Sequence, residues 1–163
     1  MRHDESAAAH RLPSAAGFRF AIIVSRFNES VTRRLCEGAR AALSEAGASD
    51  DHVDLFEVPG AFELPQAARC AAEGGRYHAV MCLGCVIRGE TPHFEYISAS
   101  VAHGIQEASG ETGVPIAFGV LTTDTLPQAE ARATADRTNK GFEAAAAAIE
   151  MAALFKRLRG AQR

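Results

Sequence analysis

Apolar positions along this chain follow two alternating rhythms. Short continuous or every-other-residue runs are each followed by a longer stretch in which apolar residues recur three or four apart. Residues 18–25 read as a buried strand. From about Asn28 the spacing becomes helical, with Val31, Leu35, Ala39, Ala42, Leu43 and Ala46 on one face and Gly47 as the stop. Residues 52–58 alternate like a strand, with Val53, Leu55 and Glu57 on one side. Pro59 and Gly60 break it, and an Ala-rich helix runs from Ala61 to the stop at Gly74 and Gly75. Residues 77–87 are predicted to be the third strand, and their continuous apolar character suits a central place buried on both faces. A turn at residues 88–92 follows. Thr91 is the predicted N-cap and Pro92 the first residue of a helix carrying Ile97, Val101, Ile105 and Ala108. Residues 114–121 give the fourth strand. Pro127 opens a short helix, and Asn139 caps the last one, whose apolar face is Phe142, Ala146, Ile149 and Ala153.

Strands that alternate with helices imply parallel pairing through right-handed crossovers. The expected architecture is an α/β, doubly wound sheet of four parallel strands with helices on both faces. In such sheets a ligand sits beyond the carboxyl ends of the strands, near the point where strand order reverses. The segments to search are therefore residues 25–28, 59–63, 84–93 and the stretch after Leu121. The unusual residue types fall in these same segments.

A length of 163 residues fits one domain around one core. The expected division is a flexible leader over residues 1–17, rich in Ala, Ser, His and charge, and a folded domain over 18–163. A net charge of -3 argues against nucleic acid as the main partner, because backbone phosphates demand a basic surface. The basic residues near the end (Lys156, Arg157, Arg159 and Arg163) suit the negative pole of a closing helix instead. No apolar run approaches the roughly 18–20 residues needed to span a bilayer. The N-terminus lacks the charged-then-apolar layout of a secretory signal. A cytoplasmic location is thus expected, with the four cysteines reduced. Cys82 and Cys85 form a C-x-x-C within a strand, where odd spacing puts them on opposite faces. No second pair completes a zinc set, and all four cysteines read as packing.

Residues 84–94 hold the densest chemistry. A strand ends, Gly89 allows a tight turn, and a helix begins with free N–H groups that attract anions. The N–H groups of Glu90 and Thr91, with the Thr91 hydroxyl, could hold a phosphate, although an ordinary helix cap explains the same residues. His93, in the first helical turn, could move protons near neutral pH or simply be a surface histidine beside Phe94. Phe27 at the mouth of the first strand could stack on a flat heterocycle or pack the rim, with the Asn28 amide offering hydrogen bonds. Glu63 could accept hydrogen bonds from a polyol or offset a helix dipole. Arg132 could grip a phosphate. Lys140 could add charge or form a Schiff base, and each of these two cations equally suits a solvated surface.

Taken in order, Arg26-Phe27-Asn28, residues 58–65, residues 84–94, residues 118–123, Gln128-Ala129 with Arg132, and Asn139-Lys140-Gly141 resemble the lumazine synthase family (6,7-dimethyl-8-ribityllumazine synthase). The resemblance covers about residues 18–158. It implies a flavodoxin-like fold, two small-molecule substrates and no metal or organic cofactor. It also implies roles. Phe27 stacks on a pyrimidine, and backbone groups around Val86 and Ile87 read the edge of that ring. In the Ala61-Phe62-Glu63 segment, the Ala61 backbone and Glu63 take a ribityl chain, with Asn28 nearby. Glu90 and Thr91 hold a phosphate with help from Arg132, and His93 shuttles protons. Phe118 and Lys140 line the site, and in this family Phe118, Arg132 and Lys140 come from the adjacent subunit. The expected assembly is a homopentamer, which in some members builds a shell of 60 subunits. Residues 133–138 depart from the Gly- and Lys-containing loop of many members, which leaves the shell open. A flavin-phosphate-binding module, an aldolase using Lys140, and a carrier that kept only the assembly are the rival readings.

Overall fold

The structure, a computed structural model, describes residues 10–161. Four strands form: β1 (Phe20–Ser25), β2 (Val53–Val58), β3 (Ala79–Ile87) and β4 (Ile116–Thr123). All pair in parallel in the order β2-β1-β3-β4. The expected doubly wound α/β sheet is therefore present. Among the described residues, five α-helices connect and follow the strands: α1 (Glu29–Glu45), α2 (Leu64–Glu73), α3 (His93–Thr112), α4 (Leu126–Glu130) and α5 (Lys140–Gly160).

The alternation of side chains along a strand divides the core in two. On one face Phe20, Ile22 and Val24 of β1 and Met81, Leu83 and Cys85 of β3 pack against Leu35 and Ala39 of α1 and Ala145 and Ile149 of α5. On the other, Ala21 and Ile23 with Val80 and Cys82 meet Leu64 and Ala68 of α2 and Val101 and Ile105 of α3. Cys82 and Cys85 thus lie on opposite faces, as their spacing requires. Residues 79–85 of β3 are buried throughout, as expected of a central strand. Each large aliphatic side chain buried here contributes about 1.5–3 kcal/mol relative to exposure.

The α1–α5 contact is close because glycines face it. A Cβ on Gly141 would lie 1.9 Å from the Leu35 carbonyl oxygen, and one on Gly38 would lie 2.3 Å from the Asn139 side chain. Asn139 caps α5 as expected. Its Oδ1 accepts from the N–H groups of Gly141 and Phe142 at 2.7 and 3.3 Å, while Nδ2 donates to the carbonyls of Arg34 and Thr134 at 2.9 and 2.7 Å.

Several local expectations are corrected. Helix α3 begins one residue later than predicted, at His93. The Pro92 carbonyl takes the first helical hydrogen bonds, from Glu95 and Tyr96, so Pro92 is the cap and the Thr91 hydroxyl makes no capping bond. Residues 61–63 form a single 3-10 turn ahead of α2. Strand β2 lies at the sheet edge, leaving Leu55 and Phe56 exposed. Packed chain extends ahead of residue 18, since Ala15 is fully buried and its N–H reaches the Ala46 carbonyl at 2.8 Å. Residues 1–9 of the expected 1–17 leader lie outside the described residues. Cys70 is exposed rather than packed, whereas Cys36, Cys82 and Cys85 are buried.

Candidate active site

Strand order reverses between β1 and β3, and there the two strands part. Their pairing ends at Val24 and Leu83, yet β3 continues to Ile87 against β4. Beyond Ser25 the chain bends toward β2 instead, where the N–H groups of Arg26 and Phe27 reach the carbonyls of Val58 and Pro59 at 2.9 and 3.1 Å. A crevice opens between the β1 end and residues 84–87. Even-numbered residues of β3 turn their backbone groups to β4, as the bonds from the Val80 and Arg88 N–H groups to the Pro115 and Thr123 carbonyls show. The backbone of Val86, expected to face the ring, is therefore spent in the sheet, and of the two only that of Ile87 faces the crevice. Asn28 spans it at one point: Nδ2 donates to the Cys85 carbonyl at 2.9 Å. Asn28 holds a left-handed φ of 62°, a conformation that asparagine tolerates better than most residues. One amide hydrogen of Asn28 therefore serves the fold.

Aromatic and polar groups rim the crevice. Phe27 is 71% exposed and Phe62 58%, so neither ring is consumed by packing. Glu63 is half-buried, and its Oε2 accepts from the Gly60 N–H at 3.0 Å, leaving Oε1 for another donor. On the other side, Gly89, Glu90, Thr91, Pro92 and His93 are all exposed in the β3–α3 turn. Among the described residues, nothing in the protein accepts from the N–H groups of Gly89, Glu90 or Thr91. Together with the start of α3, they make a set of donors suited to an anion.

Phe118, Arg132 and Lys140 form a separate group. Phe118 sits mid-strand opposite Cys82, five residues before Thr123, which places it about 16 Å along the strand from the crevice. It lines a depression of about 280 Å³ with Lys140, Glu143 and Ala144. Lys140 Nζ pairs with Glu143 at 2.7 Å, which does not favour a nucleophilic amine. The Arg132 carbonyl accepts from the Lys140 N–H at 2.9 Å, and its guanidinium donates to the Gln128 carbonyl at 2.9 Å. Phe118 is nearly half exposed on the edge strand.

Sequence reasoning missed Arg88. Its Nε donates to Asp124 Oδ1 at 2.7 Å, a second guanidinium nitrogen pairs with Glu95, and the ring of Phe94 lies 4.4 Å beneath Cζ. The two ion pairs raise its pKa above the ordinary arginine value, and the Arg88 bond holds the Glu95 carboxyl below its own. The only sequence signal was an arginine flanked by apolar strand and glycine. Among the described residues, no group of three histidines, cysteines or carboxylates is placed to hold a metal ion. No described helix is long and apolar enough to cross a membrane.

An open parallel sheet with a ligand crevice at its reversal point, an aromatic rim and an anion-suited turn defines an α/β protein that binds small molecules. Residues 17–156 match the model of the 6,7-dimethyl-8-ribityllumazine synthase family. The chain is 54% identical over 144 residues to the 6,7-dimethyl-8-ribityllumazine synthase of Syntrophus aciditrophicus (strain SB), covering 88% of this chain and 94% of that one. The chain belongs to the lumazine synthase family.

Proposed function

We infer that this chain condenses 5-amino-6-(D-ribitylamino)uracil with 3,4-dihydroxy-2-butanone 4-phosphate in the crevice between β1 and β3. The observation that carries this reading is the run of β3 past β1. It leaves the N–H and carbonyl of Ile87 unpaired among the described residues, beyond the end of β1, where the chain carries the exposed aromatic ring of Phe27, an arrangement suited to a flat, hydrogen-bonding heterocycle. Phe27 stacks on the pyrimidine, and Ala61, Phe62 and Glu63 follow the ribityl chain. The free N–H groups at Glu90 and Thr91 take the phosphate.

The 5-amino group attacks the ketone, water leaves to give an imine, phosphate is eliminated, and the ribitylamino nitrogen closes the second ring with release of water. His93, at the start of α3, moves the protons. Both condensations proceed between reactive partners, so registration of the two substrates supplies much of the acceleration. The cation facing the phosphate is Arg132 of a neighbouring subunit, with Phe118 and Lys140 of that subunit closing the site. Two features support this reading: Phe118 lies well removed from the crevice within one chain, and its ring is exposed. The assembly is a homopentamer in the cytoplasm, built from one domain per chain.

Phe27→Ala tests the pyrimidine site. Stacking of this kind contributes about 0.5–1.5 kcal/mol, so the KM for the pyrimidine should rise about 2- to 12-fold with that for the butanone phosphate unchanged. An unchanged pyrimidine KM would remove Phe27 from the site. Mixing separately inactive Glu63 and Arg132 variants tests the shared site. Subunit exchange should restore activity if the two residues act across an interface, and no recovery from co-assembled subunits contradicts it.

A further inference from the structure

Arg88 stands at the root of the β3–α3 turn, and its side chain is fully engaged within the protein. Its N–H continues the sheet by donating to the Thr123 carbonyl at 2.9 Å. Its guanidinium reaches Asp124 just beyond β4 and Glu95 in the first turn of α3, and covers Phe94. One side chain thereby joins the end of β3, the end of β4 and the start of α3, with residues 89–93 held between its contacts. Asp124 is itself fixed, since its N–H donates to Gln128 Oε1 at 2.9 Å.

We propose that Arg88 is a positioning residue for the condensation. Its guanidinium closes the β3–α3 turn like a buckle, so that the donors of residues 89–91 and the His93 imidazole keep one spacing. The proposal rests on the reading that this turn receives the phosphate-bearing substrate. The turn has few ties of its own. Its residues are exposed, and among the described residues no acceptor takes the three N–H groups. A turn so loosely held would have to be ordered by the substrate, at a cost in affinity.

Two alternatives make different demands. If Arg88 were the counter-charge for the phosphate, its charge would have to be available. Two carboxylates already occupy it, and Glu90 adds a third negative group to the same turn. If it were only a stabilising ion pair, it would matter little to folding or to function, because exposed pairs contribute little. A positioning role needs a planar fork whose donors point in two fixed directions, which lysine does not supply.

The test compares the unsubstituted enzyme with Arg88→Met, Arg88→Lys and the double variant Glu95→Gln with Asp124→Asn. The readouts are the KM for each substrate, the affinity for inorganic phosphate by phosphorus NMR titration, and the melting temperature. Arg88→Met should raise the KM for the butanone phosphate and weaken inorganic phosphate together, on the order of 10- to 100-fold, as misplacement of a substrate-holding group does. The pyrimidine KM and melting temperature should stay close to those of the unsubstituted chain, and lysine should rescue only in part.

The carboxylate variant discriminates most sharply. Removing two negative charges strengthens phosphate binding on Coulomb's law alone, whereas loss of the buckle weakens it. Tighter phosphate in that variant, full rescue by lysine, or both KM values rising with a lowered melting temperature would each overturn the proposal. Should the unsubstituted enzyme show no turnover above the uncatalysed rate, the functional reading fails. The phosphate titration then decides alone: weakened binding in Arg88→Met supports the buckle, and unchanged binding refutes it.

Discussion

Replacing Asn139 by alanine probes the junction where α5 begins, one residue before Lys140. The side chain is 1% exposed and makes four hydrogen bonds. Two of them cap α5, and loss of such a cap costs about 1 kcal/mol. The other two satisfy the carbonyls of Arg34 and Thr134, and a lost bond of this kind costs about 0.5–1.5 kcal/mol net, more where an acceptor stays buried without a partner. The sum is about 2–4 kcal/mol, which for a chain of this size corresponds to a melting temperature lowered by about 4–16 °C. Circular dichroism melts, with urea unfolding to check that the denaturant slope is unchanged, measure it. Asn139→Asp separates the two halves of the argument. Aspartate caps helices well but cannot donate while ionised, and it would set a buried negative oxygen against two carbonyls. It should therefore be at least as damaging as alanine. An aspartate variant as stable as the unsubstituted chain would refute the role given to the two donated bonds, and an alanine variant with an unchanged melt would refute the whole account of the junction.

Other outcomes follow from single sites. Gly141→Ala forces a Cβ to within 1.9 Å of the Leu35 carbonyl, and backbone cannot yield as a side-chain tip does; we expect loss of folded protein on expression, or a melt lowered more than by Asn139→Ala. Tyr77 is pushed up to about 12, mainly by burial and also by the hydrogen bond it donates to Asp54 at 2.6 Å. The folded state thus keeps this proton longer than the unfolded one, so the associated stability is present below pH 10 and is lost as pH rises toward 12. Ultraviolet titration of a Tyr96→Phe variant, in which Tyr77 is the sole phenol, checks it; a midpoint near 10 would contradict it. Of the four cysteines, Cys70 alone should react rapidly with a thiol reagent in folded protein, because burial raises the other three and covers them. Peptide mapping that finds Cys82 labelled before unfolding would refute this. His93→Ala should slow turnover without abolishing it, measured as kcat against the uncatalysed rate. Complete loss in a folded, substrate-binding variant would contradict the weight placed on registration.

What could be read from the sequence was what local rules govern. The strand and helix rhythm, the central place of β3 and the Asn139 cap each depend on residues a few positions apart. The exposure of Cys70 was available too. Leu64, Ala68 and Ala72 mark the buried face of α2, and a residue two positions from 68 and 72 points away from it. The cap of α3 was misplaced by one residue because Thr91 and Pro92 both suit a helix start, and only the bonds to the Pro92 carbonyl decide between them. The Arg88 contact could not be read at all, since Asp124 lies 36 residues away and only the β3–β4 pairing brings the two together. The separation of Phe118 from the crevice likewise depends on register, not on spacing along the chain.

Whether the crevice beside Phe27 and His93 performs the condensation is decided by mixing purified protein with the ribitylamino-pyrimidine and the butanone phosphate and following lumazine formation optically against a protein-free control. Formation well above the uncatalysed background, lost on Arg132→Ala, is expected. Formation at the background rate by folded, assembled protein would contradict it.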